Sequence, residues 1–299
     1  MKRFFLIAIA LCAIAAPAQA ALKVFACEPE WAALAHELAG EQAEVYTATT
    51  ARQDPHRVEA RPSLIAKMRT ADLLVCTGAD LEAGWLPLLL RQAGNDRVQP
   101  GRPGHFLAAE FVHKLEIPAT VDRAQGDIHA EGNPHFHTDP HRVLQVARAL
   151  AERLVQLNPA QADALRTRAA DFEQRWQAAL TRWQQRAAPL RGVRAVSQHQ
   201  DWVYLYDWTG MVEAGRLEPK PGIPASAAHL AQLQAQLAAK PARMVLRTSY
   251  QDPRPAAWLA QHAGARVVEL PYTVGGSDSA RDLFGLVDDT LDRLLGALQ

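Results

Sequence analysis

The longest periodic segment of the chain is 158-NPAQADALRTRAADFEQRWQAALTRWQQRAAPLRG-192. Asn158-Pro159 supplies a capping side chain followed by proline at the first helical position, and Pro189 and Gly192 end the pattern. Apolar residues recur on one helical face, at spacings of three and four: Leu165, Ala169, Phe172, Trp176, Leu180, Trp183, Ala187 and Leu190. A helix of about thirty residues is roughly 45 Å long, the height of a domain. We predict a stiff spine that joins two lobes; the alternative is an ordinary amphipathic helix packed on one domain.

Short β-rich runs alternate with helical segments on both sides of this spine. Before it, the runs are 22–26, 43–47 and 73–76, with helical segments near 29–38, from residue 62 and around 81–93. After it, the runs are 193–196, 244–247 and 267–270, and the stretches between them are helical in pattern. Strands that alternate with helices at this spacing form βαβ units and a parallel sheet. The expected fold class is therefore α/β, with two lobes, each a parallel-type sheet with flanking helices.

The N-terminus has the features of a secretory signal peptide. Lys2 and Arg3 precede an uncharged apolar run over residues 4–16, and the small-residue sequence A-Q-A follows at 18–20. The run is too short to span a bilayer, so we expect cleavage after Ala20 and a periplasmic mature protein. Cys12 is preceded by leucine, where a lipoprotein signal would have a small residue, so lipid anchoring is not expected. The resulting division is a signal peptide at 1–20, an N-terminal lobe at 21–157, the spine at 158–190 and a C-terminal lobe at 191–299.

The charge balance argues against a nucleic-acid partner. Lys and Arg number 32 and Asp and Glu number 32, which gives a formal charge of 0. Removal of Lys2 and Arg3 with the signal peptide takes the charge from 0 to −2. A near-neutral chain has no basic footprint for nucleic acid.

Two cysteines, Cys27 and Cys76, remain after the signal peptide is removed. In an oxidising compartment, two leftover cysteines most often pair. Each of them ends a β-rich run, so both thiols lie at the same sheet edge if those strands are parallel neighbours. We predict a disulfide; the alternative is a pair of buried free thiols.

Three histidines and one aspartate lie in loops far apart in the sequence: His56, His135, His199 and Asp278. His56, His199 and Asp278 each follow a β-rich run, and ligands of open α/β sheets bind beyond the carboxyl ends of the strands. Three imidazoles and a carboxylate make a tetrahedral site that suits zinc. We therefore predict that these four side chains bind Zn²⁺. Asp282 is an alternative to Asp278, although it also suits the first turn of a helix, where the dipole favours an acid.

Four motifs, in order along the chain, resemble those of a known family. They are D-P-H at 54–56 with R-P-S at 61–63, P-H-F-H-T-D-P at 134–140, H-Q-D-W-V-Y at 199–204, and E-P-K-P-G-I-P at 218–224. Together they resemble the periplasmic solute-binding proteins of zinc and manganese ABC transporters, over nearly all of the mature chain. The resemblance implies two α/β lobes, a single linking helix, a metal in the cleft between the lobes, and delivery of that metal to a membrane permease.

The choice between zinc and manganese depends on one position within this resemblance. His199 stands where manganese-type members usually show a carboxylate, and imidazole suits zinc whereas manganese prefers oxygen ligands. The expected cargo is therefore Zn²⁺, with a manganese-specific member of the same family as the alternative. His137 also departs from the family pattern, in which tryptophan is usual at that position.

The remaining histidines of this region have two interpretations. His129, His137 and His141 fall with His135 in the window 129–141. A His-rich loop of this kind could collect metal weakly, or it could be a solvated loop without a metal.

Two rival functions remain open. A zinc-dependent hydrolase could combine the three histidines with an open water position, but the chain has no His-Glu-x-x-His helix and no obvious general base. A binding protein for a metal chelate, such as a siderophore or a corrinoid, would need a roomy cleft lined by Arg, Tyr and Trp. We expect a monomeric binding protein rather than an enzyme. Its expected partners are the permease and, as an open option, a periplasmic metal-delivering protein.

Overall fold

The computed structural model describes residues 21–121 and 126–299. The predicted signal peptide and its cleavage after Ala20 lie outside the described residues. Strands and helices alternate through the described ranges and form two parallel sheets with flanking helices. This arrangement confirms the predicted α/β fold class. No helix in these two ranges is both long enough and apolar enough to cross a bilayer.

The first sheet is formed by the N-terminal part of the chain. Its parallel strands lie in the order β2-β1-β3-β4, with β1 at Leu22–Ala26, β2 at Ala43–Thr47, β3 at Leu73–Cys76 and β4 at His105–Leu107. The flanking helices are α1 at Pro29–Ala39, α2 at Pro62–Thr70 and α3 at Leu86–Ala93. Proline is the first residue of α1 and α2 and the second of α3, where it costs little because the first N–H groups of a helix have no partner within it. The sequence pattern does not predict β4, because three residues are too few to show an alternation.

Two long helices follow the first sheet, α4 at Pro140–Leu157 and α5 at Ala162–Ala187. Short 3₁₀ turns at Pro159–Gln161 and Ala188–Leu190 extend α5, so the helix predicted over this segment is confirmed. Its apolar stripe is buried, with Phe172, Trp176 and Trp183 among the buried residues. Helix α5 packs against α1 and α4 and also against the C-terminal helix at Leu283–Gly296. Contact with elements from both ends of the chain favours the spine over a helix confined to one domain.

The second sheet repeats the topology of the first. Its parallel strands lie in the order β6-β5-β7-β8, with β5 at Arg194–Ser197, β6 at Val212–Arg216, β7 at Met244–Arg247 and β8 at Arg266–Glu269. The flanking helices are α6 at Val203–Thr209, α7 at Ala227–Ala239, α8 at Pro253–Ala263 and α9 at Leu283–Gly296. The sequence pattern does not predict β6, because V-E-A-G-R is polar and contains glycine. Its pairing with β5 is also irregular, since the register shifts between Ala195 and Val196.

The predicted disulfide between Cys27 and Cys76 is confirmed. Cys27 follows β1 directly and Cys76 ends β3, and these two strands are parallel neighbours. Both cysteines are fully buried. The bridge therefore ties together two strands at their carboxyl ends, the sheet edge from which ligand-binding loops leave in α/β folds.

One hydrophobic core extends through both halves of the molecule. It includes Val24 and Val75 of the first sheet, Trp176 of α5, and Leu246 of the second sheet. A shared core does not mark where one lobe ends. The boundaries at residues 157 and 190 therefore stay a prediction.

Candidate metal centre

His56, His135 and His199 converge at one place, although they come from three separate loops. His56 follows β2, His135 precedes the short 3₁₀ turn before α4, and His199 lies two residues after β5. Their ring centroids are 5.4, 5.5 and 5.5 Å apart. Imidazoles bound through one nitrogen to a tetrahedral zinc, with Zn–N near 2.0–2.1 Å, have centroids about 5 Å apart. The structure therefore brings the three predicted histidines together, with donor atoms of His56 and His135, and those of His135 and His199, within 4.8 Å of one another.

Each of the three rings is held through its Nδ1 atom, at 2.7–2.8 Å from an oxygen: Asp54 holds His56, Tyr272 holds His135, and Glu218 holds His199. A proton on Nδ1 that is donated to such an oxygen leaves the lone pair on Nε2. Nε2 of His135 and Nε2 of His199 are buried and have no hydrogen-bond partner. Metal-binding histidines are oriented in this way, by a hydrogen bond on the nitrogen away from the metal.

The charges around the rings are unequal. Burial, and then the charges of His56 and His199, hold the pKa of His135 well below its usual value. Burial alone would also lower the pKa of His199, but the carboxylates of Asp201 and Glu218 outweigh it and raise that pKa. His135 is therefore neutral and ready to donate its lone pair, whereas His199 holds a proton more tightly than a free histidine.

His129 lies beside the three predicted histidines. It is buried, and its Nε2 atom is 3.3 Å from Nε2 of His56. Burial, and then the charges of His56 and His199, lower its pKa to about 3. Donor atoms of His56, His129 and His135 all lie within 4.8 Å of one another. The sequence places His129 in a His-rich window but does not show that it reaches the site.

Asp201 is a buried carboxylate next to the same histidines, and sequence reasoning missed it. Its donor oxygen lies within 4.8 Å of donor atoms of His135 and His199. Oδ2 accepts a hydrogen bond of 2.6 Å from Gln251, and Oδ1 is buried without a partner. Burial raises the pKa of Asp201. The signal in the sequence is an acid two residues after His199, directly before the apolar and aromatic run at 202–206.

Asp278 does not lie with the three histidines. It is exposed, and its backbone carbonyl accepts a hydrogen bond from Arg281. Its loop folds as a surface turn in which Gly275 N–H donates to Ala280 and Ser277 Oγ donates to Asp289.

The alternative acid, Asp282, caps the N-terminus of α9 by accepting from Gly285 N–H. Within residues 21–121 and 126–299, neither Asp278 nor Asp282 belongs to a group of three or more possible metal donors.

The other two histidines of the window 129–141 have structural surroundings. His137 is buried, and its Nε2 donates to the Tyr272 carbonyl at 3.0 Å while Nδ1 lies 3.5 Å from Glu30. The side chain of His141 is about half exposed, and its Nδ1 lies 2.9 Å from Asp139. This hydrogen bond raises the pKa of His141. The window is therefore not one solvated loop, since its histidines have three different environments.

A cleft of about 770 Å³ opens beside His56 and His199. Three arginines line it, and two of them are paired with carboxylates: Arg57 lies 3.8 Å from Asp127, and Arg254 lies 2.6 Å from Asp252. The third is Arg52. The cleft gives the histidines an opening to the surface.

Two α/β lobes joined by a spine helix, with imidazoles converging between them, define a solute-binding protein for a metal ion. The chain belongs to the family ZnuA, zinc-uptake complex component A periplasmic, which it matches over residues 24–297. This match confirms the resemblance drawn from the four motifs.

Individual relatives are distant. The chain is 25% identical over 204 residues to the high-affinity zinc uptake system protein ZnuA of Yersinia pestis, covering 61% of each chain. It is 25% identical over 145 residues to the manganese ABC transporter substrate-binding lipoprotein PsaA of Streptococcus pneumoniae, covering 48% of this chain and 44% of that protein. A crystal structure of ZnuA superposes with a TM-score of 0.76 at 21% identity, covering 92% of this chain and 99% of that one. The matched region thus spans less than two thirds of these two relatives, and the structural likeness shows the fold.

Proposed function

We propose that this protein captures Zn²⁺ in the periplasm and delivers it to the membrane permease of an ABC transporter. The observation that supports the proposal is the closeness of three imidazole rings, on His56, His135 and His199, each held by a hydrogen bond at Nδ1. Neutral imidazoles at this spacing are good ligands for zinc. The metal is the cargo, so the site has to release it as well as bind it.

Zinc is preferred to manganese because the converging donors are nitrogen atoms. Manganese prefers carboxylate, carbonyl and water oxygens, whereas imidazole suits zinc. The manganese-binding alternative within the family would require oxygen donors at positions that carry histidine here. For the fourth donor, the sequence predicts Asp278, which would have to turn inward from the surface; that assignment stays a prediction.

A zinc-dependent hydrolase is the second candidate. It would need an open coordination position for water and a free general base. The space around the three histidines is instead flanked by His129 and Asp201, and one oxygen of Asp201 is occupied by Gln251. A crowded donor set suits carrying a metal more than activating a water molecule. We propose that the protein acts as a monomer, is secreted through its signal peptide and is not an enzyme.

The test is zinc binding by calorimetry or by competition with a chromophoric chelator. The wild-type protein is expected to bind one Zn²⁺ and to prefer it to Mn²⁺. His56→Ala, His135→Ala and His199→Ala each remove one ligand and are expected to weaken binding strongly. His141→Ala is the matched control, because it removes a half-exposed histidine from the same region. Wild-type affinity in all three ligand variants would contradict the proposed site, and tighter binding of Mn²⁺ would contradict the proposed cargo.

A further inference from the structure

Building on the proposed capture of zinc, which it presupposes, we infer that His129 supplies the fourth protein donor to the same ion. His129 and His56 face each other through their Nε2 atoms, 3.3 Å apart. Two nitrogens bound to one tetrahedral zinc, at about 2.0–2.1 Å each, lie about 3.3–3.4 Å from one another. The observed separation is the edge length of such a site.

The hydrogen bond of His56 directs a lone pair toward His129. Nδ1 of His56 donates to Asp54 at 2.8 Å, which leaves a lone pair on Nε2. That lone pair faces Nε2 of His129 at 3.3 Å. A cation between the two nitrogens, a metal ion or a shared proton, makes such a contact favourable.

The backbone that holds His129 has an unusual conformation. Gly78, Ala79 and Asp80 all have positive φ, at 77°, 48° and 64°. Alanine and aspartate adopt this region at a cost, and such conformations persist where the surroundings impose them, often at binding sites. Here the Glu82 carboxylate imposes it, because it accepts from Thr77 N–H at 2.7 Å and from Gly78 N–H at 3.0 Å.

The turn at residues 78–80 is connected directly to the His129 loop. Oδ2 of Asp80 accepts from Ala130 N–H at 3.0 Å, one residue beyond His129. The turn therefore fixes the loop backbone next to His129 through the Asp80 side chain. Asp80 is a positioning residue, since it acts on the metal through His129.

Two carboxylates compete with His129 for the fourth position. Asp201 lies close to His135 and His199, but Gln251 holds one of its oxygens at 2.6 Å. Asp278 is exposed on a surface turn. His129 is the candidate whose donor atom already lies at coordination distance from that of another ligand.

The direct test is X-ray absorption spectroscopy at the zinc edge, on protein loaded with one equivalent of Zn²⁺ alone. Four imidazoles are expected around zinc in the wild-type protein and three in His129→Ala. His141→Ala, Asp201→Asn and Asp278→Asn are expected to keep four. Three imidazoles and an oxygen in the wild-type protein, or an unchanged count in His129→Ala, would overturn the assignment of His129.

Affinity measurements separate this inference from the proposed function. His129→Ala is expected to bind zinc at least about tenfold more weakly, since even partners behind the ligands contribute factors of this size. Asp80→Gly keeps the positive φ but loses the acceptor for Ala130 N–H, and it is expected to weaken zinc binding less than His129→Ala does. Asp80→Asn keeps an acceptor oxygen and is expected to bind zinc with wild-type affinity. If the wild-type protein binds zinc tightly and His129→Ala binds it with the same affinity, the role of His129 is wrong and zinc capture stands. If the wild-type protein does not bind zinc, zinc capture itself is wrong.

Discussion

Replacing Tyr272 with phenylalanine removes a single oxygen atom next to a metal ligand. The Tyr272 hydroxyl lies 2.7 Å from Nδ1 of His135, and both side chains are buried. When His135 binds zinc through Nε2, its proton is on Nδ1, so Tyr272→Phe leaves that N–H without an acceptor. Without the hydroxyl nothing holds the proton on Nδ1, and a proton on Nε2 occupies the lone pair that would bind zinc.

The size of this effect can be obtained in two ways. A buried donor without a partner costs about 1–3 kcal/mol. Loss of a partner behind a metal-binding histidine typically weakens metal affinity about 10–100-fold, which is about 1.4–2.8 kcal/mol at 1.4 kcal/mol per factor of ten. The two values agree. Tyr272→Phe is therefore expected to raise the zinc Kd about 10–100-fold.

The assay is competition for zinc with a chromophoric chelator. Tyr250→Phe is the matched control, because its ring packs edge-on against that of Tyr272 at 5.8 Å. It removes the same atom from the same aromatic cluster, and its affinity is expected to stay at the wild-type value. An unchanged zinc affinity in Tyr272→Phe, with a folded protein by circular dichroism, would refute the role of the His135–Tyr272 hydrogen bond.

Three further outcomes are expected. Zinc affinity should be constant above the raised pKa of His199 and should fall as pH drops below it, because a protonated imidazole cannot bind metal. Calorimetry across this pH range measures the affinity, and an affinity that does not change with pH would contradict the role of His199 as a ligand. Reduction of the disulfide, which joins residues 49 apart, should lower the free energy of unfolding by about 4 kcal/mol in the chain-entropy account. Denaturant titration with and without reductant measures it, and an unchanged midpoint would be the contrary result. Removal of zinc should raise hydrogen exchange in residues 126–138 and 273–280 while α5 stays protected; uniform exchange in both states would oppose this picture.

The fold was accessible from the sequence because its signals are local. The spine helix has apolar residues at helical spacing from Leu165 to Leu190, and all of these residues lie within one continuous segment. The alternation of strands and helices predicted parallel sheets, and the positions of Cys27 and Cys76 at strand ends predicted their pairing. The strands β4 and β6 were not accessible, because one is very short and the other is polar.

The surroundings of the metal centre were less accessible, because they depend on contacts across the molecule. Tyr272 reaches His135 across 137 residues of sequence, and Glu218 reaches His199 only after β6 has brought the chain back. No spacing rule predicts either contact. Asp278 lies in a loop of the expected type, but its side chain is exposed. Loop chemistry therefore singled out three histidines whose rings the structure brings together, and their role as ligands stays a prediction. Tertiary packing determines which other side chains accompany them.

The most direct test of zinc capture is a crystal structure of the zinc-loaded protein with anomalous diffraction recorded on both sides of the zinc absorption edge. One strong anomalous peak is expected, within bonding distance of Nε2 of His56, His135 and His199. The peak should be absent below the zinc edge. A peak at any other place in the molecule, or no peak in protein that was saturated with zinc, would contradict capture of the metal at this site.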